Sequence, residues 1–153
     1  MLKYMDILTE NRQMVRFQEK LLRETAEKYG LARNELEILL FLADNLQYDT
    51  AKEIVEYQFL NKSCVSKGVD SLVKQGYLST REDEADRRVI HLDIQEKSRE
   101  VISRGQDIQR KMKSVLCRDI SSEDLNAFGR VRLKMLENAR KEKEMPEGLS
   151  DQM

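Results

Sequence analysis

From the N-terminus the apolar residues Met5, Leu8, Val15 and Leu22 recur, with their neighbours, mostly at steps of three and four. That spacing predicts an amphipathic helix over Leu2–Tyr29, which Gly30 is placed to end. Glu35–Asn45 follows with Leu36, Leu39, Leu40, Leu42 and Ala43, an apolar band wide enough to face several neighbours, so this helix is expected at the centre of the domain. The polar break Gln47-Tyr48-Asp49-Thr50 leads into about two helical turns over Ala51–Tyr57, with Ala51, Ile54 and Val55 on one side. After Gln58-Phe59-Leu60, Asn61 is placed to cap a helix whose Val65, Val69, Leu72 and Val73 repeat at i, i+4, i+7 and i+8, with Gly76 at its end.

The period then shortens to two. Tyr77–Arg81 and Val89–Ile94 read as strands, joined by the polar loop Glu82–Arg88. Alternation places Ile90, Leu92 and Ile94 on a covered face and Val89, His91 and Asp93 outside. Val101, Ile102, Ile108, Met112, Val115 and Leu116 belong to a long helix over Glu96–Arg118, roughly 35 Å at 1.5 Å per residue. Ser121, with Asp124 three residues on, starts a last helix carrying Leu125, Phe128, Val131, Leu133, Met135 and Leu136. The charged run Arg140–Glu144 and then Pro146-Glu147-Gly148 mark a frayed, disordered tail.

This order predicts a mainly α (α+β) fold. A short helix, a tight connection and a second helix with a polar outer face form a helix-turn-helix, and the hairpin behind it makes a winged helix. The expected organisation is an N-terminal dimerisation helix at 1–30, a winged helix-turn-helix domain at 31–95, C-terminal dimerisation helices at 96–145 and the tail at 146–153. Dimerisation is expected because the first helix and the last two carry more apolar surface than the small winged domain could cover.

Charge alters the weight of this reading. Lys and Arg number 27 against 28 Asp and Glu, a formal net charge of -1, so the chain lacks the overall basic excess of a simple nucleic-acid binder. A DNA interface must therefore rest on where charges sit. On a helical projection Ser63, Lys67, Asp70 and Lys74 point away from the apolar stripe, with Lys62 and Ser66 on a flank. Hydroxyls suit either base edge and lysines reach guanine acceptors or phosphates, so Asn61, Lys62, Ser63, Ser66, Lys67 and Asp70 are the candidate major-groove residues. In the wing, Arg87 and Arg88 could enter a narrow minor groove, with Asp86 holding one of them by a charge-assisted hydrogen bond. Glu82, Asp83 and Glu84 would repel phosphate unless they curl away.

Asp83-Glu84-Ala85-Asp86-Arg87-Arg88-Val89-Ile90-His91-Leu92-Asp93-Ile94 resembles the wing signature of the multiple-antibiotic-resistance regulator (MarR) family. Leu60 to Leu78 resembles that family's recognition helix and its exit, and the likeness extends over nearly the whole chain. It implies a two-fold dimer built by the terminal helices, binding a pseudo-palindromic operator in double-stranded DNA. In that pattern Asp86 and Arg88 match the wing aspartate and arginine, Ser63, Ser66 and Lys67 face the major groove, and Arg87 is a weaker transfer. The family relation further implies a repressor relieved by a small, often aromatic or anionic effector held between dimer helices and winged domain, for which Tyr4, Phe17, Tyr29 and Tyr48 are compatible cleft residues. Ala32 and Gln95 stand where the family usually has a helix-capping Ser or Thr, and Ser98 where Gly is common.

Other chemistry finds little support. There is no Gly-rich phosphate loop, no GxSxG and no paired metal-ligand motif, so neither an enzyme nor a metal or other cofactor is expected. His91 reads as an exposed wing residue. Cys64 and Cys117 read as free, packed thiols, with thiol-based redox sensing as an alternative, and a winged-helix module for protein partners as another. No apolar run reaches the roughly 18–20 residues of a membrane span, and the N-terminus lacks a signal-peptide core, so a cytoplasmic protein is expected.

Overall fold

The computed structural model describes residues 4–58 and 60–144. The tail expected at 146–153 and the side chains of Tyr4, Met5 and Leu8 lie outside the described residues. The elements run α1 Tyr4–Glu27, α2 Arg33–Asp44, α3 Ala51–Gln58, α4 Lys62–Lys74, β1 Leu78–Glu82, β2 Ile90–Ile94, α5 Ser98–Leu116 and α6 Ser122–Glu144. Among the described residues the fold is mainly helical, with one two-stranded antiparallel sheet. The chain divides into two compact units, residues 1–112 and 113–153.

The first unit is built around α2. Leu36, Ile38 and Leu39 are fully buried, and Leu40, Phe41 and Leu42 nearly so, which makes α2 apolar on almost every side. Helices α1, α3 and α4 all pack on it. Ala32 offers no side-chain cap at its start. Glu35 takes over the task, its Oε2 accepting the Ala32 N–H at 2.8 Å. At Gly68, α4 comes so close to α2 that an added Cβ would lie 2.7 Å from Ile38 Cδ1.

Helices α1 and α4 end by the same device. Gly30 (φ +69°) and Gly76 (φ +77°) adopt the left-handed conformation. The next residue donates back, Leu31 N to Ala26 O at 3.0 Å and Tyr77 N to Leu72 O at 2.9 Å. Both pairs are buried, so each turn closes over an apolar contact and satisfies carbonyls that the helix end leaves open.

The strands pair from Leu78↔Ile94 to Glu82↔Ile90. Each begins one residue later than the periodicity predicts, because Tyr77 belongs to the helix end and Val89 to the loop, its N–H donating to Asp86 O at 2.9 Å. Leu92 is buried and Ile94 partly so, but Ile90, expected on the covered face, is 39% exposed. The alternation holds while the cover runs out, since Ile90 sits opposite Glu82 at the end of the ladder, next to the loop. His91, expected outside, is only 18% exposed by side chain. The α2–α3 connection lies along that edge, with Leu92 N donating to Asp49 O at 2.7 Å and Thr50 bridging His91.

Helix α5 starts at Ser98, after a turn in which Ser98 N and Arg99 N bond to Gln95 O and Glu96 O. Ser98 is fully buried and its hydroxyl donates to Tyr77 O at 2.5 Å, while Gln95 N donates to the same carbonyl at 3.0 Å. In the second unit, Ser121 Oγ accepts Asp124 N at 3.0 Å and caps α6 as its sequence predicts. Phe128, Val131 and Leu133 on α6 are 58–63% exposed. On α1, Met14, Val15 and Phe17 are also exposed.

The two glycine turns generate a test. Gly30→Ala and Gly76→Ala should each destabilise the protein by about 1–2 kcal/mol, the cost of a Cβ in the left-handed region, with no steric clash to confuse the reading. Guanidinium melts that leave both midpoints unmoved would rule out these helix ends.

Candidate nucleic-acid interface

Helix α3 is set by a capping box that spans Thr50 to Glu53. Glu53 N donates to Thr50 Oγ1 at 3.3 Å, and Glu53 Oε2 accepts Asp49 N, Thr50 N and Thr50 Oγ1 at 2.9–3.0 Å. Ile54 is buried beneath it, and α3 packs on α4. Helix α4 starts at Asn61, whose Oδ1 accepts Cys64 N at 2.7 Å. Val65, Gly68, Val69 and Leu72 face the core. That stripe turns the opposite side of α4 to solvent.

All six candidate residues of this segment, Asn61, Lys62, Ser63, Ser66, Lys67 and Asp70, are exposed. They divide into two rows. Lys62, Ser66 and Asp70 lie one turn apart beside α3, where with Ala51, Lys52 and Val55 they border a shallow groove. Ser63 and Lys67 stand on the outer row. Asn61 is engaged through its oxygen in the cap, so its part in the face is to set where the helix begins.

The wing loop is organised by its carboxylates. Asp83 Oδ1 accepts the amides of Ala85 and Asp86 at 2.8 and 2.9 Å, forming an Asx turn. Asp86 takes both Arg88 Nε (3.0 Å) and Arg88 Nη2 (3.1 Å) in a two-pronged pair and also accepts Arg88 N at 3.1 Å. The Arg88 side chain remains 90% exposed, so the pair aims its guanidinium outward without covering it. Those bonds hold the Asp86 carboxyl below its usual range. Arg87 is exposed and makes no ion pair among the described residues.

Sequence reasoning missed the partners of His91. Its Nδ1 lies 2.7 Å from Asp49 Oδ1 and its Nε2 lies 3.0 Å from Asp83 Oδ2. The bonds to Asp49 and then Asp83 raise the imidazole above its ordinary 6.5, against partial burial and the neighbouring Arg81. Asp83 falls to about 2, through His91 first and then the amides of Asp86 and Ala85. Among the described residues no cluster of three or more His, Cys, Asp and Glu side chains could hold a metal ion. Cys64 and Cys117 are unpaired thiols, each half-buried.

Residues 29–89 match the MarR family. No curated protein sequence matches the chain. Among solved structures, a MarR family transcriptional regulator from Listeria monocytogenes, complexed with a 26mer DNA, is similar at a TM-score of 0.81. It is 16% identical, and the likeness covers 92% of each chain. A MarR transcriptional regulator from Methanosarcina mazei has a TM-score of 0.71 at 20% identity, covering 88% of this chain and 96% of that one. The MepR–DNA complex of S. aureus has a TM-score of 0.74 at 15% identity, covering 90% and 96%. Residues 29–89, the helix-turn-helix and most of its wing, are thus similar to the MarR family, and along most of its length the chain shares the winged-helix fold of the solved MarR regulators.

Proposed function

We propose that this chain is a homodimeric DNA-binding transcriptional regulator, acting as a repressor on a pseudo-palindromic operator. The observation that carries this is the wing, where Asp86 presents a 90% exposed Arg88 guanidinium, alongside an α4 whose polar side is exposed. Helix α4 then lies in the major groove, with Ser63, Ser66 and Lys67 at base edges and Lys62 at phosphate. The loop 82–88 carries Arg88 into the adjacent minor groove, where its fork and fixed charge suit a narrow, electronegative channel. Two solved relatives, from L. monocytogenes and S. aureus, are complexes with DNA.

The dimer rests on apolar surface. Phe128, Val131, Leu133 and Met135 on α6 and Met14, Val15 and Phe17 on α1 are all at least 41% exposed, more than a lone chain leaves in water without a partner. A second copy covers them and places two α4 helices on half-sites about one DNA turn apart. Relief by a small effector is supported by an open cleft of about 400 Å³ where the end of α1 meets α5, lined by Thr25, Lys28, Tyr29, Arg104, Asp107 and Ile108. Its two cations, Lys28 and Arg104, outnumber its one carboxylate, Asp107, which suits an anionic aromatic molecule. Tyr48, by contrast, is stacked between Phe41 and Tyr57 and serves packing.

Arg88→Ala should weaken binding to an operator duplex about tenfold, on all sequences alike, with a lower salt slope. Ser66→Ala and Lys67→Ala should also change which sequence is preferred when DNA is selected from a random pool. Unchanged affinity in all three variants would defeat the assignment of the face. Equilibrium sedimentation at micromolar concentration should give a dimer, and a monomer there would remove the two-half-site geometry.

A further inference from the structure

The contacts of His91 form an unusual arrangement for one imidazole. A neutral ring has one N–H and one lone pair, yet both nitrogens here face carboxylate oxygens that only accept. Only the imidazolium donates to both at once. The two carboxylates belong to different parts of the fold: Asp49 to the α2–α3 connection, and Asp83 to the wing loop, where its other oxygen organises the amides of Ala85 and Asp86.

We propose that His91 is a positioning residue for the wing: as an imidazolium bridging Asp49 and Asp83, it ties the 83–88 loop to the α2–α3 connection, and losing its proton releases that loop. The proposal rests on the DNA-binding reading, since the loop it holds carries Asp86 and Arg88. Removing the proton sets a nitrogen lone pair against a carboxylate, so one contact must open. Asp83 is the longer contact and sits on the more exposed segment, so the wing side gives way. Asp49 is held from behind, its amide bonded to Glu53 and its carbonyl to Leu92 N.

The charged groups around the ring favour this cycle. Asp49 and Asp83 face it directly, Glu53 of α3 lies behind Asp49, and Arg81 of β1 is its cross-strand partner. Arg81 opposes the imidazolium but is itself engaged with Asp93 at 3.4 Å. Because His91 titrates higher in the fold than its ordinary 6.5, its contribution is complete below 6.5 and is lost as pH rises through the raised value. Because Asp83 titrates lower, its contribution is complete above 3.8 and is lost only as pH falls towards about 2. The anchor is therefore intact from about pH 4 up to the His91 transition.

The chain has one histidine, so a histidine-labelled sample reports this ring alone by NMR. The full-length protein should show an imidazole titrating above 6.5. Asp83→Asn keeps an oxygen for the Ala85 and Asp86 amides but removes the charge, and should bring the titration down. Hydrogen exchange at Ala85, Asp86 and Arg88, corrected for its intrinsic pH dependence, should speed up about three- to tenfold as His91 deprotonates. Affinity for a duplex selected by the protein should fall by a similar factor, about three- to tenfold, between pH 6 and 8.5, and stay flat in His91→Gln, which retains Cys64 and Cys117 as controls. A ring titrating at or below 6.5, or loop amides indifferent to it, would overturn the tether. Loop release with unchanged wild-type affinity would overturn the positioning role. Failure to bind any duplex would instead reject the DNA reading, while titration and exchange would still decide the tether.

Discussion

The carbonyl of Tyr77 accepts two hydrogen bonds, from Gln95 N and from the buried hydroxyl of Ser98, where α4, the sheet and α5 converge. A buried carbonyl with both lone pairs satisfied is costly to disturb, since an opened contact strands a polar group away from water. The rest of Tyr77 is tied in as firmly. Its amide closes α4 onto Leu72, its hydroxyl donates to Tyr29 O at the end of α1, and Lys97 Nζ stands 4.5 Å over its ring. The exit of α4 and the base of the wing are thus held from a single residue, to which α1 and α5 are also fastened.

Overall charge says little about this surface, because acid and base are spent differently. Asp83 turns inward on His91 and the loop amides, and Asp86 is taken up by Arg88. Those carboxylates build the wing and do not simply repel a phosphate backbone. Lys62 and Lys67 stay exposed on α4 and Arg87 and Arg88 on the wing. A chain of formal charge -1 can in this way expose cations on α4 and the wing, although Asp70, Glu82 and Glu84 stay exposed on the same segments.

How much could be read from sequence follows from the range of the interactions involved. Gly30, Gly76, Asn61 and Ser121 act within a turn of their own position, and their roles as helix ends and caps were legible. So was the exposed row of α4, which needs only its own periodicity. The Thr50 to Glu53 box was equally local and carries a recognisable pattern, yet the stretch reads first as a polar break. His91 could not be read, since Asp49 reaches it from 42 residues away and alternation alone puts it outside. Ile90 obeys the alternation but has lost its cover, which depends on where the ladder ends. Ser98, where a glycine would be usual in related chains, proves to be a buried donor, a role only the tertiary fold discloses.

The close approach at Gly68 has a consequence for reach. With no side chain there, α4 settles onto Ile38, and the residues on its far side stand only as high above the domain as that contact allows. Ser66 and Lys67 are the two residues that precede it in sequence. The depth to which they project is consequently set from beneath, by the volume of two core positions, Gly68 and Ile38. Variation in the packing of α2 can retune the outer surface of α4 while every exposed residue stays the same.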